Sequence, residues 1–155
     1  MVSGEKQLKS LRRKIPGLLN AERSHMCWEL GHFQAPMFVK EPGEAPTKPY
    51  MLVCIDTASR AIMGGDLLLT PPSPRDYLSL LLASMENPCV EIGVSVLPES
   101  VRLDDSAVFK LLGNELGQLD VKFELVERLC ALPEFKEIAE RELFSRQVGY
   151  SGGAN

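Results

Sequence analysis

Residues 51–70 read MLVCIDTASRAIMGGDLLLT, and this stretch decides the fold. Met51, Leu52, Val53, Cys54 and Ile55 run without a polar break, the pattern of a central strand covered on both faces. Asp56 ends the run, and small or polar residues from Thr57 to Arg60 supply a turn. Ala61, Met63, Leu67 and Leu69 then alternate with more mixed positions, as the returning arm of a hairpin does. Gly64 and Gly65 inside that arm predict a bulge or bend that turns Asp66 outward.

Upstream, Trp28 and Leu30 share one face of a short strand, and a break at Ala35 and Pro36 separates it from a second at Met37 to Val39. Both are expected at a sheet edge, where proline is tolerated. Pro42, Gly43, Pro46 and Pro49 make an exposed connection to the hairpin. Downstream, Ser73 and Pro74 open a helix reaching Met85, and its Tyr77, Leu78, Leu80, Leu81 and Leu82 leave little polar face. More apolar surface than one sheet face covers predicts a protein partner or homodimer through the 74–85 helix. Residues 87–97 fit no element cleanly, because Pro88 and Pro98 bracket an alternating run. A short buried strand at 100–103 ends in Asp104 and Asp105, a helix from Ser106 turns Val108, Leu111 and Leu112 inward, and residues 121–126 form the next strand. Pro133 opens a last helix to about Arg146, with Phe135, Ile138, Ala139 and Leu143 facing the core.

Strand, helix, strand, helix in the second half implies parallel pairing. The fold class is therefore α/β, with α+β as the alternative. We expect a mixed sheet of about five strands, a hairpin pair near the N-terminal side and helices packed on it. The chain of 155 residues suffices for one such core and not for two. The division is a basic helix at 1–20, a single α/β domain at 21–147 and a disordered tail at 148–155.

The net charge of −4 hides an asymmetry: Lys6, Lys9, Arg12, Arg13 and Lys14 face only Glu5 in the first fourteen positions, so the body is strongly acidic. Such a body argues against a broad nucleic-acid groove and leaves nucleic acid a secondary candidate. Leu8, Leu11 and Ile15 form only a narrow apolar stripe, so the basic helix reads as a solvated face that the fold could lose. Four cysteines are too sparse for a disulfide framework and fit a reducing, cytoplasmic setting. No apolar run is long enough to span a bilayer, so no membrane association is expected.

Two likenesses follow. MLVCIDTASRAIMGGDLL, then VRLDD ahead of a helix, then LGQLDVKFEL, resembles the ribonuclease H-like superfamily, particularly the integrase and transposase core. That resemblance implies two metal ions held by an aspartate ending the first strand, an aspartate ending the fourth, and an acidic residue on the last helix. Asp56, Asp104 and Glu140 stand at matching positions, and Glu140 follows Asp104 at the interval typical of integrases. A closer likeness, over roughly residues 28–146, is to a small bacterial domain family of unknown function. It is carried by residues 98–104, PESVRLD, and 116–121, LGQLDV, and it implies no activity.

Asp56 and Asp104 are thus the candidate metal ligands, for Mg²⁺ or Mn²⁺, with Asp56, Asp104 and Glu140 the candidate catalytic set. The plainer reading gives Asp56 to a turn start and Asp104 or Asp105 to a helix N-cap. His25, Cys27 and His32 include no Cys-x-x-Cys, and on a strand His32 points away from the other two. Cys54 and Trp28 read as core residues, and no phosphate loop or nucleophile elbow is present. The leading expectation is a non-enzymatic interaction or accessory module without a cofactor. The alternative is a divalent-metal-dependent nuclease or related phosphoryl-transfer enzyme.

Overall fold

The computed structural model describes residues 2–40, 42–89 and 94–153. Along the chain come α1 (Val2–Lys14), β1 (Glu22–Arg23), β2 (Cys27–Gln34), β3 (Tyr50–Asp56) and β4 (Ile62–Leu68). Then follow α2 (Pro74–Glu86), β5 (Val96–Leu97), β6 (Ser100–Leu103), α3 (Ser106–Leu116), β7 (Lys122–Leu125) and α4 (Ala131–Gly153). The main sheet has five strands in the order β4-β3-β2-β6-β7, and β1 and β5 form a separate parallel pair. β3 lies antiparallel between β2 and β4, whereas β6 runs parallel to β2 and β7 parallel to β6. This is the mixed α/β sheet expected from the hairpin and the two strand-helix-strand units.

β2 departs from expectation: one eight-residue strand at the sheet centre replaces two short edge strands. Its sequence carries both faces, with Trp28 and Leu30 buried on one side and Gly31 and Phe33 on the other. Of the second strand only a bridge between Val39 and Thr47 remains. The alternating run at 87–97 contributes β5 at its end, and its Val90 and Ile92 lie outside the described residues.

One sheet face meets α2 and α3 through Trp28, Leu30, Leu52, Leu78, Leu81, Leu103 and Leu112. The other meets α4 through Phe33, Val53, Ile55, Leu129 and Leu132. Glycine lets each helix come close. A Cβ on Gly64 would lie 2.2 Å from Ser84 Oγ, and one on Gly31 would lie 2.6 Å from Leu132 Cδ2. Gly64 makes room for α2, and the expected bulge falls beside it: Cys54 pairs with Gly64 and Ile55 with Ile62, so Met63 is the extra residue in β4. Asp66 is exposed, as expected.

The helix ends follow from side-chain chemistry. Ser73 accepts from the Asp76 amide while Asp76 accepts from the Ser73 amide, a reciprocal capping box for α2. Buried Glu29 accepts from the amides of Cys130, Ala131 and Leu132 at 2.9, 2.8 and 3.0 Å, placing a carboxylate at the positive end of α4. α2 buries Tyr77, Leu78, Leu80, Leu81, Leu82 and Met85 within its own chain. Because the neighbouring helices and strands already cover them, α2 leaves no broad apolar face for the partner expected at 74–85. α1 and the residue that follows it are likewise part of the core: Leu11 and Ile15 are buried, and Arg12 grips Glu115 on α3 through contacts of 2.8 and 2.7 Å. α4 starts at Ala131 and runs to Gly153, and the last two residues of the 148–155 tail lie outside the described residues. Phe135 and Ala139 face the core, Ile138 is exposed, and the Leu143 side chain lies outside the described residues.

Candidate functional site

Asp56 closes β3 and is only 5% exposed. Its Oδ2 accepts from the Ser59 amide at 3.1 Å and the Ser59 hydroxyl at 2.6 Å, which fixes the turn into β4. Arg60, at φ 65°, completes that turn in the left-handed region. The turn-start reading of Asp56 is therefore correct for Oδ2. Oδ1 is buried and has no hydrogen-bond partner among the described residues. Asp56 also lines a cavity of about 360 Å³, with Glu22, Arg23, Met26, Met63 and Val96 among its other walls. The guanidinium of Arg23 is held at the carbonyls of Leu119 and Asp120.

Asp104 is elsewhere. Asp56 stands opposite Trp28, and Trp28 stands opposite Val101. β3 runs against β6, so their carboxyl ends point in opposite directions. At about 3.3 Å per residue and 4.8 Å per strand, Asp104 lies roughly 14 Å from Asp56. Two metal ions about 4 Å apart need tighter convergence than that. Glu140 is on the solvent side of α4, paired with Lys136 at 3.8 Å. Among the described residues no three His, Cys, Asp or Glu side chains gather closely enough to hold a metal ion. Mg²⁺ or Mn²⁺ thus has no shared seat on Asp56, Asp104 and Glu140, because the antiparallel course of β3 separates the first two.

The α3 cap belongs to Asp105, whose carboxylate accepts from the Val108 amide at 3.0 Å, while Asp104 is exposed. Nearby, His32 Nδ1 and the Tyr77 hydroxyl are hydrogen-bonded. His32 also meets the ring of Tyr50 edge-on at 6.1 Å. Burial, then the charges of Asp104 and Asp105, push the Tyr77 phenol well above its usual range and keep it neutral. His25 is exposed, and Cys54 is buried with its thiol pushed up by desolvation, so neither offers a reactive site.

Glu29 and the His32–Tyr77 pair escaped the sequence reading. A glutamate inside an apolar strand was the available signal for Glu29, whereas only folding brings His32 to Tyr77.

On the α4 side of β4, Ala35, Met37, Met51, Gly65 and Leu67 line an apolar groove. Leu67 is 46% exposed, and Phe38 stands 63% exposed with the Lys48 ammonium over its ring at 5.2 Å.

No curated protein matches the chain, so the ribonuclease H-like resemblance gains no support there. Residues 14–138 match the family described as Domain of unknown function (DUF6930), in keeping with the likeness to a small uncharacterised domain family. The chain, over most of its length, belongs to the DUF6930 family.

Proposed function

We propose that the domain is a non-enzymatic interaction module that receives an extended segment of a protein partner along β4. The observation that carries this reading is the bare, apolar, α4-facing side of an edge strand. Among the described residues β4 pairs as a strand with β3 alone; its Met63 carbonyl also accepts from the Cys89 amide at 2.9 Å, and beyond that contact Leu67 is exposed beside Met51 and Met37. A strand added at such an edge gains main-chain hydrogen bonds, and its alternate side chains drop into the groove. The opposite edge suits this less, since β7 has four residues and carries Lys122 and Glu124. Phosphoryl transfer by Asp56, Asp104 and Glu140 has no geometric argument in its favour. We place the module in the cytoplasm, where its four cysteines, free in this fold, would stay reduced.

Selection of peptides from a random display library on the wild type, with counter-selection on Leu67→Asp, tests this. Binders should show alternating apolar positions and lose most of their affinity for the variant. A library that yields none discriminating the two proteins, with both folded by circular dichroism, overturns the reading. Sedimentation across a concentration series separates the case in which the added strand comes from a second copy.

A further inference from the structure

The geometry points to a second, independent site: the cavity beside Asp56 binds a small organic cation, an amine or amidine with a short apolar stem. Four observations converge. Asp56 is nine-tenths buried and lines the cavity. Its Oδ2 is used by Ser59, but its Oδ1 is buried and has no partner among the described residues. A buried carboxylate oxygen without a donor is costly, and native proteins rarely leave one so. The missing partner is therefore a donor, best a charged one.

The walls select the rest of the ligand. Met26, Ala61, Met63, Pro88, Val94 and Val96 present apolar surface, and about 360 Å³ falls in the range of small-molecule sites. Among the described residues Asp56 is in no ion pair. Arg23, the cation in the lining, is committed to the carbonyls of Leu119 and Asp120. Glu22 adds a second acid to the lining, so an anionic ligand is disfavoured. A metal ion is disfavoured too, since no three ligating side chains gather among the described residues and one free carboxylate oxygen is a poor seat. Trp28, opposite Asp56 on the same sheet face, also has its indole N–H buried with no partner among the described residues. A ligand at Asp56 should therefore register on it.

The chain has a single tryptophan, so its indole N–H gives one resolved signal in a ¹⁵N spectrum. Titrating the full chain with n-butylamine and with benzamidine, at fixed pH and ionic strength, should move that signal saturably and raise the melting temperature. Butyrate and n-butanol should do neither. Asp56→Asn keeps an oxygen for the Ser59 donors and removes the charge, so it should weaken amine binding about tenfold or more, while the exposed-site control Glu127→Gln binds as the wild type does. Absence of a saturable response in the wild type overturns the assignment without reference to any variant, as does equal binding to Asp56→Asn. Nα-acetyl-lysinamide carries the same ammonium on a peptide unit. Its binding in the absence of binding by the free amines overturns the assignment to a free small molecule.

Discussion

At the scale of single residues, two adjacent aspartates have different work. Asp105 accepts from the Val108 amide and starts α3, and Asp104 points to solvent. Losing an N-cap leaves an amide at the helix end unsatisfied, so Asp105→Ala should cost about 1 kcal/mol. Asp104→Ala should stay within about 0.5 kcal/mol, as surface changes do. Urea denaturation of both variants measures this directly, and equal losses would contradict the assignment. The same separation governs the candidate metal site, since Asp56 spends one oxygen on Ser59 and stands far from Asp104. An aspartate before a helix is ambiguous in sequence between cap and ligand, and only the strand directions resolve it.

Between elements, the distance from α2 to the sheet is set by Gly64. A Cβ there would meet Ser84 Oγ at 2.2 Å and Leu80 Cδ1 at 3.3 Å, and the Ser84 hydroxyl is itself tied to the Leu80 carbonyl at 2.8 Å. Gly64→Ala should therefore destabilise by about 1–3 kcal/mol, as overpacking does. Adding Ser84→Ala should recover part of that loss, giving a measurable coupling in a double-mutant cycle. Gly113→Ala on the exposed side of α3, where a Cβ meets nothing within 4 Å, should instead stabilise by about 0.5–1 kcal/mol. Additive effects of the Gly64 and Ser84 changes would show that the helix can shift freely.

For the molecule as a whole, the basic N-terminal helix closes the core against α2 and α3. Leu11 is 5% exposed, and Arg12 donates from Nε and Nη2 to the two carboxylate oxygens of Glu115. Arg12's hydrogen bonds, and then its charge, hold the Glu115 carboxyl below the usual carboxylate range, against an opposing effect of burial. A carboxyl depressed in the folded state contributes stability above its unfolded pKa of about 4.3, and loses it as pH falls through the folded value. Arg12→Met should thus lower the melting temperature at neutral pH, and the gap to wild type should close in strong acid. A gap unchanged from about pH 7 to about pH 2.5 would mean that the pair adds nothing pH-dependent.

The sequence by itself determined the hairpin, the α/β class, the positions of α2, α3, β6 and β7, and the Ser73 start of α2. Each is written in local periodicity or capping chemistry, which a few neighbouring residues supply. The central place of β2 could not be read that way, because proline after its end imitates an edge and burial on two faces depends on distant partners. The same holds for Glu29, which looks misplaced until the amides of Cys130, Ala131 and Leu132 reach it. Sequence chemistry picked out Asp56 as a residue of interest. Only the tertiary structure decided that its companion is an apolar cavity and not Asp104, because β3 runs antiparallel to β2 and β6 and carries its carboxyl end away from theirs.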